Sequence, residues 1–142
     1  MSYYLEHANL SVDNAQATVD FLLAAIPAWR VRGGGDWDSP TGQTVDWYHV
    51  GDDNQYITVQ SGGDGPAQDW TLKWTGVKHL GIAVPNLEDV IERLRQHGYE
   101  LDHLGGEHPH RKSVYYLDGN NLQFEFIEYL SERTDERNDY TL

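Results

Sequence analysis

The stretch His7-Ala8-Asn9-Leu10-Ser11-Val12-Asp13-Asn14 returns 72 positions later as His79-Leu80-Gly81-Ile82-Ala83-Val84-Pro85-Asn86. The shared pattern is His-x-x-[Leu/Ile]-x-Val-x-Asn. Each copy alternates in polarity as a half-buried strand does, and each runs into a helical stripe with spacing i, i+3, i+4, i+7. The first stripe is Val19, Leu22, Leu23 and Ile26; the second is Leu87, Val90, Ile91 and Leu94. A repeat on this scale restricts the chain to two similar units in tandem. Parity sets His7 opposite Ala8, Leu10 and Val12, and His79 opposite Leu80, Ile82 and Val84, so both histidines belong to the side away from the helices.

Asp13 is expected to cap the first helix, with Gln16 as its capping-box partner, and Pro27 to end it. Asn86 and Gly98 frame the second helix in the same way. Residues 29–31 read as a short strand, Gly33-Gly34-Gly35 and Ser39-Pro40-Thr41-Gly42 as a loop, and residues 44–50 and 55–60 as a hairpin. In the second half, residues 77–84, 99–103, 113–117 and 122–129 read as strands, the last two closing around Asp118-Gly119-Asn120-Asn121. The expectation is therefore one α+β domain over 1–142, made of β-α-β-β-β units at 3–61 and 76–129. A Gly-, Asp- and Gln-rich linker, 62–75, joins them. The polar tail 130–142 is expected to pack loosely or to clasp a partner subunit.

Cysteine is absent, so any metal must be held by His, Asp, Glu or Gln. The net charge of −13 argues against nucleic acid and against anionic lipid as partners. No apolar run approaches the ~20 residues that span a bilayer. Met-Ser-Tyr-Tyr-Leu-Glu lacks the basic start and apolar core of a signal peptide, so a cytoplasmic location is expected.

In the last strand Leu122, Phe124 and Phe126 share one face, and Gln123, Glu125 and Ile127 share the other. Glu125 thereby joins the two histidines. One histidine in a strand is ordinarily a tolerated polar residue. Two at one repeat offset, with an acid of matching parity, point to a divalent metal. Two neutral imidazoles and a carboxylate form a facial set that leaves positions open to water or substrate.

Glu6-His7-Ala8-Asn9-Leu10-Ser11-Val12, Lys78-His79-Leu80-Gly81-Ile82-Ala83-Val84 and the stretch Tyr115-Tyr116-Leu117-Asp118-Gly119-Asn120-Asn121-Leu122-Gln123-Phe124-Glu125-Phe126 together resemble the vicinal-oxygen-chelate superfamily, which includes glyoxalases, bleomycin-resistance proteins and extradiol dioxygenases. The last stretch resembles that family's Tyr-Phe-x-Asp-Pro-Asp-Gly-x-x-[Leu/Ile]-Glu signature, with Gly119 and Asn121 in place of its Pro and Gly. The resemblance implies eight strands bent into a cup-shaped mixed sheet with the helices outside. It also implies one divalent ion (Fe, Mn, Ni, Co or Zn) on His7, His79 and Glu125. Four-ligand members take a further acid from the fourth strand of the first unit, where this chain has Tyr56, Thr58 and Gln60. Thr58 stands opposite Glu125 at an offset of 67, and Gln60 would serve only if the hairpin slipped by two residues. Asn9 stands where the fosfomycin-resistance thiol transferases carry Thr.

Thr58, Gln60, Ser113, Tyr115 and Gln123 are the substrate-lining candidates. The loop Glu107-His108-Pro109-His110-Arg111-Lys112 is a basic, His-rich patch that reads either as a hold for an anionic substrate or as a solvated loop. The implied activity is that of a metal-dependent, glyoxalase-like lyase or isomerase acting on a small molecule with vicinal oxygens. An extradiol dioxygenase acting on a catechol is the first alternative. The second is a bleomycin-resistance-like binding protein without turnover, which the five tryptophans would suit. A homodimer is implied on the same grounds.

Overall fold

Both copies of the repeat form a strand that leads into a helix. The computed structural model describes residues 2–142; Met1, with which the expected 1–142 domain begins, lies outside the described residues. In chain order the elements are β1 (His7–Ser11), α1 (Ala15–Ala25), β2 (Arg30–Asp38), β3 (Thr44–Gly51), β4 (Tyr56–Gln60), β5 (His79–Ala83), α2 (Leu87–Gln96), β6 (His103–Leu104), β7 (Arg111–Leu117), β8 (Gln123–Tyr129) and α3 (Thr134–Arg137). The strands form two four-stranded mixed sheets, ordered β1-β4-β3-β2 and β5-β8-β7-β6. Each first strand pairs in parallel with the last strand of its unit, and the other pairs are antiparallel. The architecture is the expected α+β one.

The first unit comprises the chain up to Gln68 together with Gly119–Asn121. Its core sets Val19, Phe21, Leu22 and Ala25 of α1 against Val50, Ile57 and Val59 of the sheet, all buried. The helix is capped by Asn14, not by Asp13: the Asn14 side chain accepts from the Ala17 N–H, and Gln16 turns instead to Asp20. The physical reason is Asn120. Its side-chain oxygen accepts from the Asn14 N–H, and its amide donates to the Asn14 carbonyl and to Thr18 Oγ1. A cap already held on both backbone groups starts the helix one residue later than the sequence pattern suggests.

The glycine triplet is a second departure from expectation. β2 continues through it to Asp38, with Gly34 beside Tyr48 and Gly35 beside Trp47 in the ladder. A Cβ on Gly34 would lie 2.8 Å from the Trp47 carbonyl oxygen, and one on Gly35 would lie 3.3 Å from the Trp47 ring. These glycines serve close approach rather than a turn.

In the second unit, Asp69–Asp118 with Leu122–Leu142, the helix signals hold. Asn86 accepts from the Asp89 N–H, and Gly98 closes α2 at φ +87°. Leu87, Val90 and Leu94 pack with Val114, Tyr116, Phe124 and Phe126, all buried. β6 is shorter and later than 99–103, because the Tyr99 N–H is taken by the Leu94 carbonyl as part of the helix end. The tail is neither loose nor without structure. It carries the short α3 and clasps its own unit: His108 Nε2 donates to the Asp139 carbonyl, His110 Nε2 lies 3.2 Å from Glu136, and Arg137 covers the Tyr129 ring at 4.0 Å. Among the described residues no helix is long and apolar enough to cross a membrane.

Candidate metal centre

The ladder of the second unit builds its site from the strand register upward. Glu125 of β8 lies between Gly81 of β5 and Tyr115 of β7, and Tyr115 lies beside His103 of β6. Phe124 and Phe126 fill the core, so period-2 alternation sends Glu125 to the helix-free face. There His79 Nε2 stands 3.3 Å from Glu125 Oε1, with the two side chains 35% and 17% exposed. Gly81 makes room for this meeting. A Cβ there would sit 3.1 Å from Ile127 Cδ1 and 3.8 Å from Glu125 Oε1.

Tyr115 supports the pair from the neighbouring strand. Its ring meets His79 edge-on at 5.3 Å and stacks on His103 at 4.4 Å, and His103 in turn stacks on Trp70 at 5.0 Å. Burial first, then the Glu125 charge and a hydrogen bond with Glu125, push the Tyr115 phenol above its ordinary pKa, while Arg111 opposes the rise. Tyr115 is thus a neutral hydrogen-bond donor at neutral pH. Gln123, the ladder partner of His79, is 6% exposed, and its amide nitrogen has no hydrogen-bond partner among the described residues. A buried, unsatisfied donor on the Glu125 face is costly unless something else accepts from it. A cavity of about 430 Å³ lies over Ser113, Tyr115, Glu125 and Ile127, and Asp139, Tyr140 and Leu142 of the tail line it too. Sequence reading missed those tail residues, since nothing in a polar C-terminal stretch marks it as a wall.

The first unit carries a parallel arrangement. His7 stacks on Tyr56 at 4.8 Å, Tyr56 stacks on His49 at 4.3 Å, and Trp47 flanks His49 at 4.8 Å. His7 Nδ1 is bonded to Glu6 Oε1 at 2.9 Å, which leaves Nε2 outside that bond. A carboxylate behind an imidazole is the usual device for orienting a metal-binding histidine; Glu6, too, was missed from sequence. Burial, followed by Arg32 and then His7, lowers the His49 pKa, and Glu6 opposes the shift. The register pairs His7 with Tyr56, Asn9 with Thr58 and Ser11 with Gln60, so there is no slip. Thr58, which is buried, therefore holds the place that Glu125 holds in the second unit, and Gln60 does not.

The donors present suit a divalent ion. Two bonds of about 2.1 Å at roughly 90–110° place adjacent ligand atoms ~3.0–3.4 Å apart, and the His79–Glu125 separation falls in that range. Among the described residues no group of three or more His, Asp or Glu side chains is drawn together for a metal. The pair supplies two donors.

These elements, registers and faces define the glyoxalase-type, vicinal-oxygen-chelate fold. No family model matches the chain, and no curated protein matches it in sequence. Among solved structures, the chain is similar to a glyoxylase/bleomycin resistance protein/dioxygenase domain from Frankia sp. EAN1pec, with a TM-score of 0.72 and 19% identity over 98% of this chain and 100% of that one. It is similar to a glyoxalase family protein from Enterococcus faecalis, with a TM-score of 0.66 and 22% identity over 89% and 97% of the two chains. It is also similar to the fosfomycin resistance protein FosX from Listeria monocytogenes in complex with Mn(II) and sulfate, with a TM-score of 0.63 and 19% identity over 96% and 98%. Likeness at this level of identity carries the fold and leaves the reaction open.

Proposed function

We propose that this protein is a metal-dependent, glyoxalase-like enzyme that takes a small substrate through two neighbouring oxygens and carries out lyase or isomerase chemistry on it. The observation that carries the reading is the 3.3 Å approach of His79 Nε2 to Glu125 Oε1 at a position the sequence repeat singles out. His7, at the same position of the first repeat and backed by Glu6, is the proposed third ligand. The Mn(II) bound by the FosX relative is consistent with a divalent ion in this fold. When bound, such an ion would accept the two oxygens and stabilise negative charge developing on them. Tyr115, kept protonated, would hold the Glu125 carboxylate in place through its hydrogen bond, the unsatisfied Gln123 amide would offer a hydrogen bond to those oxygens, and Ser113 would line the approach. Thr58 and Gln60 are the corresponding candidates of the first unit. A cytoplasmic homodimer belongs to the same proposal.

A second reading rests on Thr58. Without a second carboxylate at the counterpart of Glu125, the donor set is two histidines and one acid, which suits Fe(II) and extradiol cleavage of a catechol. The third reading, a binder without turnover, draws on the stacked aromatic rows Trp70–His103–Tyr115 and Trp47–His49–Tyr56.

Elemental mass spectrometry on wild type, His79→Ala and Glu125→Gln separates the three. About one ion per chain, lost in both variants, is the expected result. Iron would direct assays to catechols; nickel, zinc, cobalt or manganese would direct them to lyase and isomerase substrates. A wild type that stays metal-free after reloading with each ion would overturn the enzyme readings and leave the binder.

A further inference from the structure

The cavity over Glu125 adjoins a larger one of about 830 Å³ in the same unit, and Glu107, His108, Arg111, Lys112 and Ser113 are among the residues that line both. The walls of the larger cavity that belong to it alone are mostly apolar: Leu87 and Ile91 from α2, and Leu101 and Leu104 around β6. Leu142 of the tail lines both. Leu104 and Leu142 are 63% and 69% exposed, and with Leu101, itself 38% exposed, they give the larger cavity a contiguous apolar lining.

Beside the Glu107 carboxylate, the shared wall holds three basic side chains, two of which are engaged. Lys112 Nζ is 3.3 Å from Glu88 and 3.9 Å from Glu128. His108 donates from Nε2 to the Asp139 carbonyl and accepts at Nδ1 from the His110 N–H. Arg111 is different. Its guanidinium has no carboxylate partner and no hydrogen bond among the described residues, and lies 5.7 Å from the centre of the Tyr140 ring. Glu107, Glu125 and Asp139 also line the smaller cavity, yet none of them pairs with Arg111 among the described residues, so in a chain with 23 acids against 10 Lys and Arg its guanidinium is a vacant anion hold.

We infer that the second unit binds a carboxylate backed by an apolar chain or ring, with the carboxylate on Arg111 beside Ser113 and the apolar body against Leu87, Ile91, Leu101 and Leu104. Charge complementarity selects the head, and the exposed leucines select the body. The volume of the larger cavity suits a small molecule rather than a peptide. This deepens the reading above by naming a substrate class for the Glu125 site, but the binding itself needs no metal.

The test is calorimetric titration of chelator-treated protein with decanoate, decanol and acetate. Wild type should bind one decanoate per chain, with decanol and acetate each at least tenfold weaker. Arg111→Gln should weaken decanoate at least tenfold and decanol by less than twofold. Leu104→Asp, at an exposed position, should weaken decanoate and decanol alike by fivefold or more, and thermal melts would confirm that both variants fold. No saturable decanoate binding, or binding that Arg111→Gln leaves within twofold of wild type, would overturn the inference. Because metal is absent throughout, failure here leaves the metal centre standing, and failure of metal loading leaves this result untouched.

Discussion

Tyr116 shows how one side chain ties the second core to pH. It is 1% exposed, meets Phe126 edge-on at 6.0 Å, and has its pKa pushed up to about 12 by burial and by the charge of Glu100. An unfolded tyrosine ionises near ~10. A raised pKa means that the folded state holds its proton longer, so the associated stability is complete below pH 10 and is lost as pH rises through 12. Urea denaturation should show stability falling by on the order of 2 kcal/mol across that window, with a smaller fall in Tyr116→Phe. Asn120 makes the opposite point about what a sequence discloses. The alternation that separates Glu125 from Phe124 and Phe126 is local and was legible. The bonds from Asn120 to Asn14 and Thr18 span 106 and 102 positions and leave no periodic trace. Asn120→Ala would leave the Asn14 backbone N–H and carbonyl and the Thr18 hydroxyl without those partners, and should cost about 2–4 kcal/mol by the same measurement.

The elements were readable wherever one physical rule acted alone. Both helices follow from an apolar stripe, and the hairpin strands follow from β-branched and aromatic runs. The expectation for the glycine triplet failed because glycine carries two meanings, turn and close approach, and only the Trp47 ring and carbonyl decide between them. The residues after α2 failed as a strand because the end of the helix took their first N–H. Gly51, by contrast, is needed for close approach at the β3–β4 hairpin. A Cβ there would meet the Gln55 carbonyl oxygen at 2.1 Å and Tyr56 Cα at 2.6 Å, and both are backbone atoms that cannot rotate away. Gly51→Ala should therefore open the hairpin and cost at least ~3 kcal/mol, the scale expected when backbone must move. Loss of hydrogen-exchange protection confined to β3 and β4 would be the signature; an unchanged denaturation midpoint would contradict it.

At the scale of the whole molecule, the repeat disclosed the order of both units and the face that bears the histidines. The tail eluded it because its contacts with His108, His110 and Tyr129 are long-range pairings of residues whose local sequence is polar. Net charge acts on this scale as well. At −13 the chain repels itself, and its visible ion pairs are mostly exposed and therefore weak. Raising NaCl from about 0.02 to 0.5 M shortens the screening length from roughly 20 to 4 Å, which weakens the long-range repulsion more than the short pairs. The melting temperature should rise by several degrees. With all seven histidines protonated, the formal charge falls to −6, so the same salt step should give a smaller gain at pH 5 than at pH 8. Sucrose at matched osmolality acts by exclusion from the surface and not by screening, so its effect should depend little on pH. A melting temperature that falls with NaCl at pH 8 would mean that the local pairs, not the net field, govern this fold's response to ions.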